Sequence, residues 1–253
     1  MTDPNPTVAV VTGAGAGLGR ELAIGLARRG VRVAGFGRRI DALRETAGLA
    51  GSLFVAVPLD VADAQAVRSG FDEVDRVLGP VTLLVNNAAV YPRLDFLDET
   101  PGSFMDTVAI NLGGVVACSH EALHRMTAVG HGRILNVSTF ADLSPIPASS
   151  AYAVSKGAAR ILSRALIADV CDRFPDIVIN DWMPGALATG MGIPDGLDPA
   201  VAARWGVALA LWNDRSLTGT IWERDTEQLP PRSLKQRLRD AVLRTAPQPR
   251  RLD

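Results

Sequence analysis

Tyr152 and Lys156 are the residues whose types and spacing best fit chemistry, because they place a phenol and an ammonium four positions apart. Both types are scarce: the only other tyrosine is Tyr91 and the only other lysine is Lys235. In a helix, positions i and i+4 share a face, so the ammonium can lie near the phenol oxygen. A nearby cation lowers the pKa of a phenol from about 10 and lets it exchange a proton with a substrate. The pair predicts a general acid or base; the alternative is a half-buried tyrosine with an unrelated surface lysine.

Short β-rich runs alternate with amphipathic segments, and these elements must position the pair. Strands are predicted over residues 7–12, 31–36, 53–57, 81–85, 133–137, 177–180 and 218–222. Helices are predicted over residues 18–29, 64–78, 104–128 and 151–174. The alternation indicates an α/β fold, a Rossmann-like doubly wound sandwich with a parallel sheet of about seven strands and helices on both faces. In such sheets ligands bind at the carboxyl ends of the strands, so the loops that follow them should carry the site.

The loop after the first strand contains Gly13, Gly15, Gly17 and Gly19 and opens a predicted helix. Small residues let main-chain N–H groups approach a pyrophosphate, and the helix N-terminus adds partial positive charge. The alternative is a merely permissive turn, but a strand before the loop and a helix after it favour phosphate binding. A nicotinamide dinucleotide is the best candidate ligand.

The end of the second strand should contact the adenosine ribose, and Arg38 and Arg39 follow it there. No Asp or Glu occurs between Val31 and Ile40. A carboxylate would favour a free ribose 2'-hydroxyl, whereas arginine favours a 2'-phosphate. The sequence therefore predicts NADP in preference to NAD; the alternative is that both arginines are ordinary solvated charges at a helix start.

Length and composition exclude several classes of protein. With 253 residues and 47% hydrophobic content, the chain can bury a large core within one domain. A net charge of -1 gives no general attraction to nucleic acid or to an anionic membrane. No apolar run approaches the length of a transmembrane helix, and the first residues lack a secretory pattern, so we expect a cytoplasmic protein. Cys118 and Cys171 have no redox or metal spacing and are expected to be reduced core residues.

Taken together, the motifs resemble those of the classical short-chain dehydrogenase/reductase family over about residues 8–189. The matching positions are the glycine loop at 12–19, Asp60-Val61, Asn86-Asn87-Ala88-Ala89, Asn111, Ser138, Tyr152 with Lys156, and Pro184-Gly185 followed by Thr189. The resemblance implies hydride transfer between a nicotinamide cofactor and a C=O or CH–OH group.

By this resemblance four residues are catalytic. Tyr152 would protonate the carbonyl oxygen as hydride arrives, or act as the base in the reverse direction. Lys156 would hold the nicotinamide ribose and lower the pKa of the tyrosine, and Ser138 would donate a hydrogen bond to the carbonyl oxygen. Asn111 would hold a water in a proton relay.

The resemblance also implies a set of cofactor contacts after successive strands. The set is Gly13, Gly17, Leu18, Gly19, Asp60, Val61, Asn86, Ala88, Tyr152, Lys156, Pro184, Gly185, Leu187 and Thr189, to which their charge adds Arg38 and Arg39. Asp60 and Val61 would meet adenine, and residues 184–189 would meet the nicotinamide end. The alternatives are structural: Asn86 could brace a strand end, the Pro-Gly pair could turn the chain, and Ser138 could cap a turn.

Residues after the strand ends that could wall the substrate cleft are mostly apolar or aromatic. They are Tyr91, Leu94, Phe140, Leu143, Trp182, Met183, Met191 and Ile193. Residues 186–199 are rich in glycine and proline, a composition typical of a mobile lid. These features predict a moderately sized ketone or alcohol with a hydrophobic body; the alternative is that several of the side chains fill the core.

A competing motif, His120-Glu121-Ala122-Leu123-His124, has the spacing of a zinc-hydrolase helix. The extended pattern requires Gly at 127 and His at 130, where this chain has Thr127 and Gly130. We therefore predict no metal site and interpret the histidines as a helix face or a subunit contact.

The end of the chain departs from the family pattern. We predict a catalytic domain over residues 1–224 and a basic tail over 225–253 with a short amphipathic helix near 233–243. The tail could cover a neighbouring subunit, cap the cleft or be mobile, so a homo-oligomer is expected without a choice between dimer and tetramer.

The expected function is that of an NADP-dependent carbonyl reductase or alcohol dehydrogenase acting on a small molecule, with no nucleic-acid or membrane partner. The alternative is a protein that keeps the scaffold for a non-redox task, such as cyclisation, isomerisation or ligand-binding regulation.

Overall fold

The strands predicted from the apolar runs form one sheet in the computed structural model, which describes residues 7–233 and 246–252. In chain order the strands are β1 (Val8–Thr12), β2 (Arg32–Gly37), β3 (Phe54–Pro58), β4 (Leu83–Asn86), β5 (Gly132–Val137), β6 (Ile177–Met183), β7 (Ile221–Glu223) and β8 (Thr226–Gln228). The helices are α1 (Gly17–Arg28), α2 (Ile40–Ala50), α3 (Ala64–Val77), α4 (Pro101–Val108), α5 (Gly114–Val129), α6 (Ser150–Val170) and α7 (Pro199–Leu211). The predicted α/β class and doubly wound architecture are confirmed.

The strand order is β3-β2-β1-β4-β5-β6-β7-β8, with the first seven strands parallel and β8 antiparallel to β7. The order reverses between β1 and β4, which pair directly through Val11 and Val85. Such a reversal opens a crevice at the carboxyl ends of the strands, where doubly wound folds bind nucleotides. The sheet therefore places its switch point beside the glycine loop.

Two apolar cores cover the two faces of the sheet, as expected for parallel strands whose side chains are buried on both sides. Every residue of β1 is buried, and its side chains alternate between the cores. Helices α1, α2 and α7 pack on one face, and α3, α5 and α6 pack on the other. Gly206 of α7 permits a close approach, since a Cβ there would lie 2.7 Å from the Trp182 ring.

The helix predicted over residues 104–128 is divided into three parts in the structure. Thr100 and Ser103 form a capping box that starts α4, and a π-helical segment, Ala109–Gly113, separates α4 from α5. A π-helix holds more residues per turn than an α-helix, which a periodic apolar pattern does not reveal. The segment contains Asn111, whose side chain is fully buried.

The predicted boundary at residue 224 falls inside the β7–β8 hairpin, so the domain continues beyond it. The last described residues return to the hairpin: Arg250 pairs with Glu227, and Leu252 is buried in the core next to α7. Of the predicted tail helix, residues 234–243 lie outside the described residues. No helix in the described part of the chain is long and apolar enough to cross a membrane.

Candidate active site

The conformation of the glycine loop depends on the absence of side chains. Gly13 has a φ of +70°, and a Cβ added at Gly19 would lie 2.3 Å from the Gly13 carbonyl oxygen. The loop borders a groove of about 210 Å³, whose lining includes Gly13, Arg38, Arg39, Asp60, Val61 and Ala88. The bottom of the groove is main chain at a helix N-terminus, and side chains at the glycine positions would fill it. Such a surface fits a pyrophosphate. The residues present therefore fit a nicotinamide dinucleotide.

The adenosine end of this groove contains both predicted arginines. The Arg38 guanidinium lies 3.9 Å from the Asp60 carboxylate across the groove and is 63% exposed, so it is free to approach a ligand. Asp60 accepts a hydrogen bond from the Ala62 N–H at 3.0 Å, which holds its carboxylate at the rim.

The end of β4 is attached to the glycine loop through Thr12. Its hydroxyl accepts hydrogen bonds from the N–H groups of Asn87 and Ala88, and the Asn87 amide donates to the Thr12 carbonyl. Asn87 was not predicted as a site residue, although it stands within the quoted motif. The prediction for Asn86 is wrong for its side chain, which is buried and donates to Ser119 and Asn136. It braces the strand instead.

The segment after β6 closes on itself and meets the glycine loop. Gly185 has a φ of +90°, and main-chain hydrogen bonds join residues 186–188 to Leu197. A Cβ at Gly17 would lie 3.1 Å from the Thr189 methyl, so the two predicted contacts are neighbours. The Leu187 side chain is buried in the core, which leaves only its main chain at the groove.

Tyr152 and Lys156 lie one turn apart on α6, as predicted, but their electrostatics differ from the prediction. Lys156 donates to the Val137 carbonyl at 2.8 Å, and burial lowers its pKa to about 8, which the Asp181 carboxylate opposes. Burial raises the pKa of Tyr152, and a hydrogen bond with the Thr139 side chain opposes this shift. The expected lowering of the tyrosine pKa by Lys156 is therefore wrong in this structure, because the ammonium is directed to a carbonyl and desolvation dominates.

The hydroxyl group that adjoins Tyr152 belongs to Thr139 and not to Ser138. The Ser138 hydroxyl accepts a hydrogen bond from the Arg160 guanidinium at 3.2 Å, whereas the Thr139 side chain acts on Tyr152 and lowers the pKa of the phenol by hydrogen bonding. Neighbouring residues in extended chain project to opposite sides, so only one of the two can face the phenol. The prediction for Ser138 is corrected on this ground. Two consecutive hydroxyl residues were the signal that the sequence offered.

Asn111 holds the loop after β4 rather than facing open space. Its side-chain oxygen accepts from the Val90 N–H at 2.8 Å, and its amide donates to the Val90 carbonyl and to Ser155. The π-helical segment thus fixes the main chain next to Tyr91. A water relay at Asn111 stays a prediction.

The aromatic ring of Tyr91 stacks on that of Tyr152, with centroids 4.6 Å apart and an interplanar angle of 20°. Phe140, Leu143 and Met191, on the loops after β5 and β6, are exposed. The prediction for Trp182 is wrong: β6 continues to Met183, beyond its predicted end, and the Trp182 ring is fully buried in the core. Met183 is buried as well. Leu94 and Ile193 are exposed at the same edge of the sheet.

Arg93, which the sequence did not single out, joins two loops over this cleft. Its guanidinium lies over the Tyr91 ring, 5.3 Å from the centroid, and donates to the main-chain carbonyls of Met191 and Gly192. Arg93 therefore ties the loop after β4 to the segment predicted to be a lid.

His120 and His124 lie on the exposed side of α5, with their Nε2 atoms 3.2 Å apart. The intervening Glu121 places one carboxylate oxygen 2.8 Å from the Arg125 guanidinium, and its other oxygen lies 3.5 Å from both His120 Nδ1 and Arg68 Nε. Over residues 7–233 and 246–252, no cluster of three or more His, Cys, Asp and Glu side chains could hold a metal ion.

Comparisons with known proteins agree with this geometry. A family model described as short chain dehydrogenase matches residues 7–198. The chain is 33% identical over 211 residues to a short-chain type dehydrogenase/reductase of Picea abies, covering 78% of this chain and 76% of that protein. It is 32% identical to galactitol 2-dehydrogenase (L-tagatose-forming) of Cereibacter sphaeroides, covering 78% of each. It is 31% identical to the NADP-dependent (R)-specific alcohol dehydrogenase of Lentilactobacillus kefiri, covering 72% of this chain and 73% of that protein.

Proposed function

Since this chain belongs to the short-chain dehydrogenase family and is an NAD(P)-dependent oxidoreductase, we propose that it is an NADP-dependent carbonyl reductase or alcohol dehydrogenase. Its substrate is a moderately sized ketone or alcohol with a hydrophobic body. The observation that carries the proposal is the setting of Tyr152, whose ring stacks on that of Tyr91 and whose phenol the Thr139 side chain affects by hydrogen bonding.

The chain holds the cofactor mainly through its main chain. When bound, a nicotinamide dinucleotide supplies or accepts the hydride. N–H groups of the loop at Gly13–Gly19 bind the pyrophosphate, and Asp60 and Val61 border the adenine. Arg38 and Arg39 bind the ribose 2'-phosphate, since guanidinium groups form charge-assisted hydrogen bonds with phosphate oxygens. The Lentilactobacillus relative is named as an NADP-dependent enzyme, which supports the same preference.

Tyr152 and Thr139 act on the carbonyl oxygen. Negative charge develops on this oxygen during hydride attack, and two fixed hydroxyl donors stabilise it more in the transition state than in the ground state. Tyr152 carries the proton that the carbonyl oxygen takes up as hydride arrives. Lys156, fixed at the Val137 carbonyl, holds the nicotinamide ribose.

The apolar surroundings favour a hydrophobic substrate over a polyol. Tyr91, Phe140, Leu143 and Met191 present aromatic and aliphatic surface at the mouth of the cleft. A polyol would require several hydrogen-bonding side chains, since each buried hydroxyl without a partner costs about 1–3 kcal/mol. We therefore propose a substrate unlike the polyol for which the galactitol relative is named.

Consumption of NADPH with a panel of aliphatic and aromatic ketones tests the proposal. We expect turnover by the wild-type chain, a loss of at least about 100-fold in kcat for Tyr152→Phe, and a similar loss for Thr139→Val. Ser138→Ala, a neighbouring hydroxyl deletion, should lose far less than Thr139→Val. If the wild-type chain binds NADPH but reduces no ketone, the proposed reductase activity is wrong and a non-redox function is favoured. Equal losses of kcat in Ser138→Ala and Thr139→Val would contradict the assignment of Thr139 as the hydroxyl donor to the carbonyl oxygen.

We further propose a cytoplasmic homo-oligomer, either a dimer or a tetramer. Helices α5 and α6 present exposed apolar side chains, with Val116 46%, Val154 56% and Ile161 59% exposed. An apolar surface of this kind is stabilised when a second subunit covers it. Light scattering of the purified chain measures the assembly, and a strictly monomeric mass would contradict it.

A further inference from the structure

Arg160 lies on α6 at i+8 from Tyr152 and i+4 from Lys156, and it forms a buried ion pair with Asp142 in the loop after β5. Their side chains are 8% and 7% exposed. Nη2 donates to Oδ1 at 2.9 Å, and Nε lies 2.8 Å from Oδ2 as an ion pair without a hydrogen bond. The charge-assisted hydrogen bond from Nη2 constrains direction as well as distance.

The same guanidinium also forms hydrogen bonds with the start of the loop after β5. Its Nη2 also donates to the Thr139 carbonyl and to the Ser138 hydroxyl. Nη2 carries two hydrogens, so the Thr139 carbonyl, the Ser138 hydroxyl and Asp142 Oδ1 share them, and each oxygen presents a lone pair to the guanidinium. The helix that carries Tyr152 thus holds the loop that carries Thr139, through main-chain and side-chain atoms of three loop residues.

Net stability does not account for this arrangement. Desolvation of a buried ion pair offsets most of its attraction, and apolar residues of similar volume often serve as well or better. An ion pair gives directional control that apolar packing does not. The oxygen of a hydroxyl donor must be placed within tenths of an ångström of the reacting group, and a misplacement of about 1 Å can cost roughly 100-fold in rate.

We propose that Arg160 is a positioning residue: through Asp142 and the Thr139 carbonyl, it holds the Thr139 hydroxyl against Tyr152. Arg160 touches neither substrate nor cofactor, and it acts on the reaction only through Thr139. The inference deepens the proposed function and, for its effect on turnover, rests on it.

A double-mutant cycle tests whether Arg160 acts through Thr139. The charge-balanced variant Arg160→Met with Asp142→Asn should lower kcat by about 10-fold to 100-fold with little change in KM. In a Thr139→Val background, the same pair of substitutions should lower kcat by less than about 2-fold, because the group to be positioned is already gone. Losses that multiply across the two backgrounds would overturn the proposal.

A titration tests it without turnover. Tyr91→Phe leaves Tyr152 as the only tyrosine of the chain, so phenolate absorbance against pH reports on that residue alone. The Thr139 hydrogen bond lowers the pKa of Tyr152, and the Asp142 charge raises it. The paired substitution removes the Asp142 charge in both backgrounds, so only the comparison of backgrounds reports on Thr139. With Thr139 present, the paired substitution should shift the pKa of Tyr152 upward relative to the shift that it causes in the Thr139→Val background, where no Thr139 hydrogen bond can be lost. Equal shifts in the two backgrounds would overturn the proposal even if no ketone were reduced, whereas failure of turnover alone would count only against the proposed function.

Two further variants are controls for effects that do not involve the Arg160 guanidinium. Arg164→Met removes an exposed arginine from the next turn of α6 and should leave kcat and the titration unchanged. Arg160→Lys keeps the charge but not the fork, and it should recover part of the kcat lost in Arg160→Met. If the methionine variants fail to fold, Arg160→Lys carries the cycle, and full wild-type kcat in that variant would overturn the role of the fork.

Discussion

The two halves of the candidate active site are built from different materials. At the dinucleotide groove, main chain and glycines define the shape, and the charged side chains, such as Arg38, are exposed. Around Tyr152, ionisable side chains are themselves buried: Lys156 is 5%, Arg160 8% and Asp181 6% exposed. The groove leaves no room for side chains at its glycine positions, whereas the surroundings of Tyr152 pair buried charges. Substitutions in the first should therefore act sterically and at every pH, and those in the second should act electrostatically.

The largest effect is expected at a glycine where an added Cβ would clash, compared with a glycine that has open space around it. Gly19→Ala places a Cβ 2.3 Å from the Gly13 carbonyl and 2.5 Å from the Asn87 amide, both of which are anchored. We expect dinucleotide affinity to fall by at least about 100-fold and the free energy of unfolding to fall by about 1–3 kcal/mol. Gly48→Ala is the matched control in the neighbouring helix α2, where nothing lies within 4 Å; it should raise stability by about 0.5–1 kcal/mol. Calorimetry of binding and urea unfolding measure both, and a Gly19→Ala chain that binds like wild type would break the steric half of the comparison.

Asp181 provides the electrostatic counterpart. Burial raises its pKa from 3.8 to about 6, while hydrogen bonds from Ser163 and Asn136 and the Arg160 charge oppose the shift. A folded-state pKa above the unfolded value means that this group favours folding at low pH. Its contribution is lost as pH rises through about 6, a change on the order of 3 kcal/mol. Asp181→Asn should therefore gain stability relative to wild type as pH rises from 4 to 7. Urea unfolding across that range measures the difference, and a difference independent of pH would contradict the assignment.

Cofactor preference probes the exposed charges of the groove. Arg38→Gln should lower the ratio of kcat/KM for NADPH to that for NADH by about 10-fold, because one charge-assisted hydrogen bond to the 2'-phosphate is lost. Arg44→Gln, on the exposed face of α2, is the control and should leave the ratio unchanged. If both variants keep the wild-type ratio, Arg38 is only a solvated charge at a helix start.

The smallest effect is expected far from both halves, at the β7–β8 hairpin. Arg250 donates to both carboxylate oxygens of Glu227 and to the Ser216 hydroxyl. Arg250→Ala should lower the free energy of unfolding by about 1–2 kcal/mol. The Arg250 hydrogen bonds lower the pKa of Glu227, so the loss should be full at neutral pH and shrink as pH falls toward that of an unpaired glutamate. Arg251→Ala, whose side chain is exposed, should change stability by less than about 0.5 kcal/mol in the same urea titration.

The comparison also separates what the sequence predicts from what it does not. Glycine spacing and buried parallel strands are local signals, and they predicted the sheet and the loop at residues 12–19. The catalytic half depends on how distant segments meet: no local pattern joins Arg160 to Asp142. Ser138 and Thr139 are indistinguishable by type, and only the rotation of the chain after β5 decides which faces Tyr152. For Trp182 the error lay in the strand end, since three further residues of β6 turn its ring into the core.

The balance between burial and neighbouring charge was also beyond the sequence. Helical spacing correctly placed Lys156 one turn from Tyr152, but spacing carries no information on solvent. Lys156 is buried and Tyr152 is half-buried, so desolvation shifts both pKa values in the direction that favours the neutral forms, and the ammonium donates to the Val137 carbonyl. The eighth strand was not predicted, because the three residues that pair in the hairpin are too few to show a periodic pattern.

The π-helical segment at Ala109–Gly113 has a consequence for how such a site arises. One residue more or less in a helix rotates everything beyond it by about 100°. Loss of a single residue there would give an unbroken α-helix and would swing Asn111 away from Val90 without altering any other letter of the sequence. The position of this asparagine is thus a matter of chain length, and two relatives with the same residues in this region but a different count would differ in the anchoring of the loop beside Tyr91.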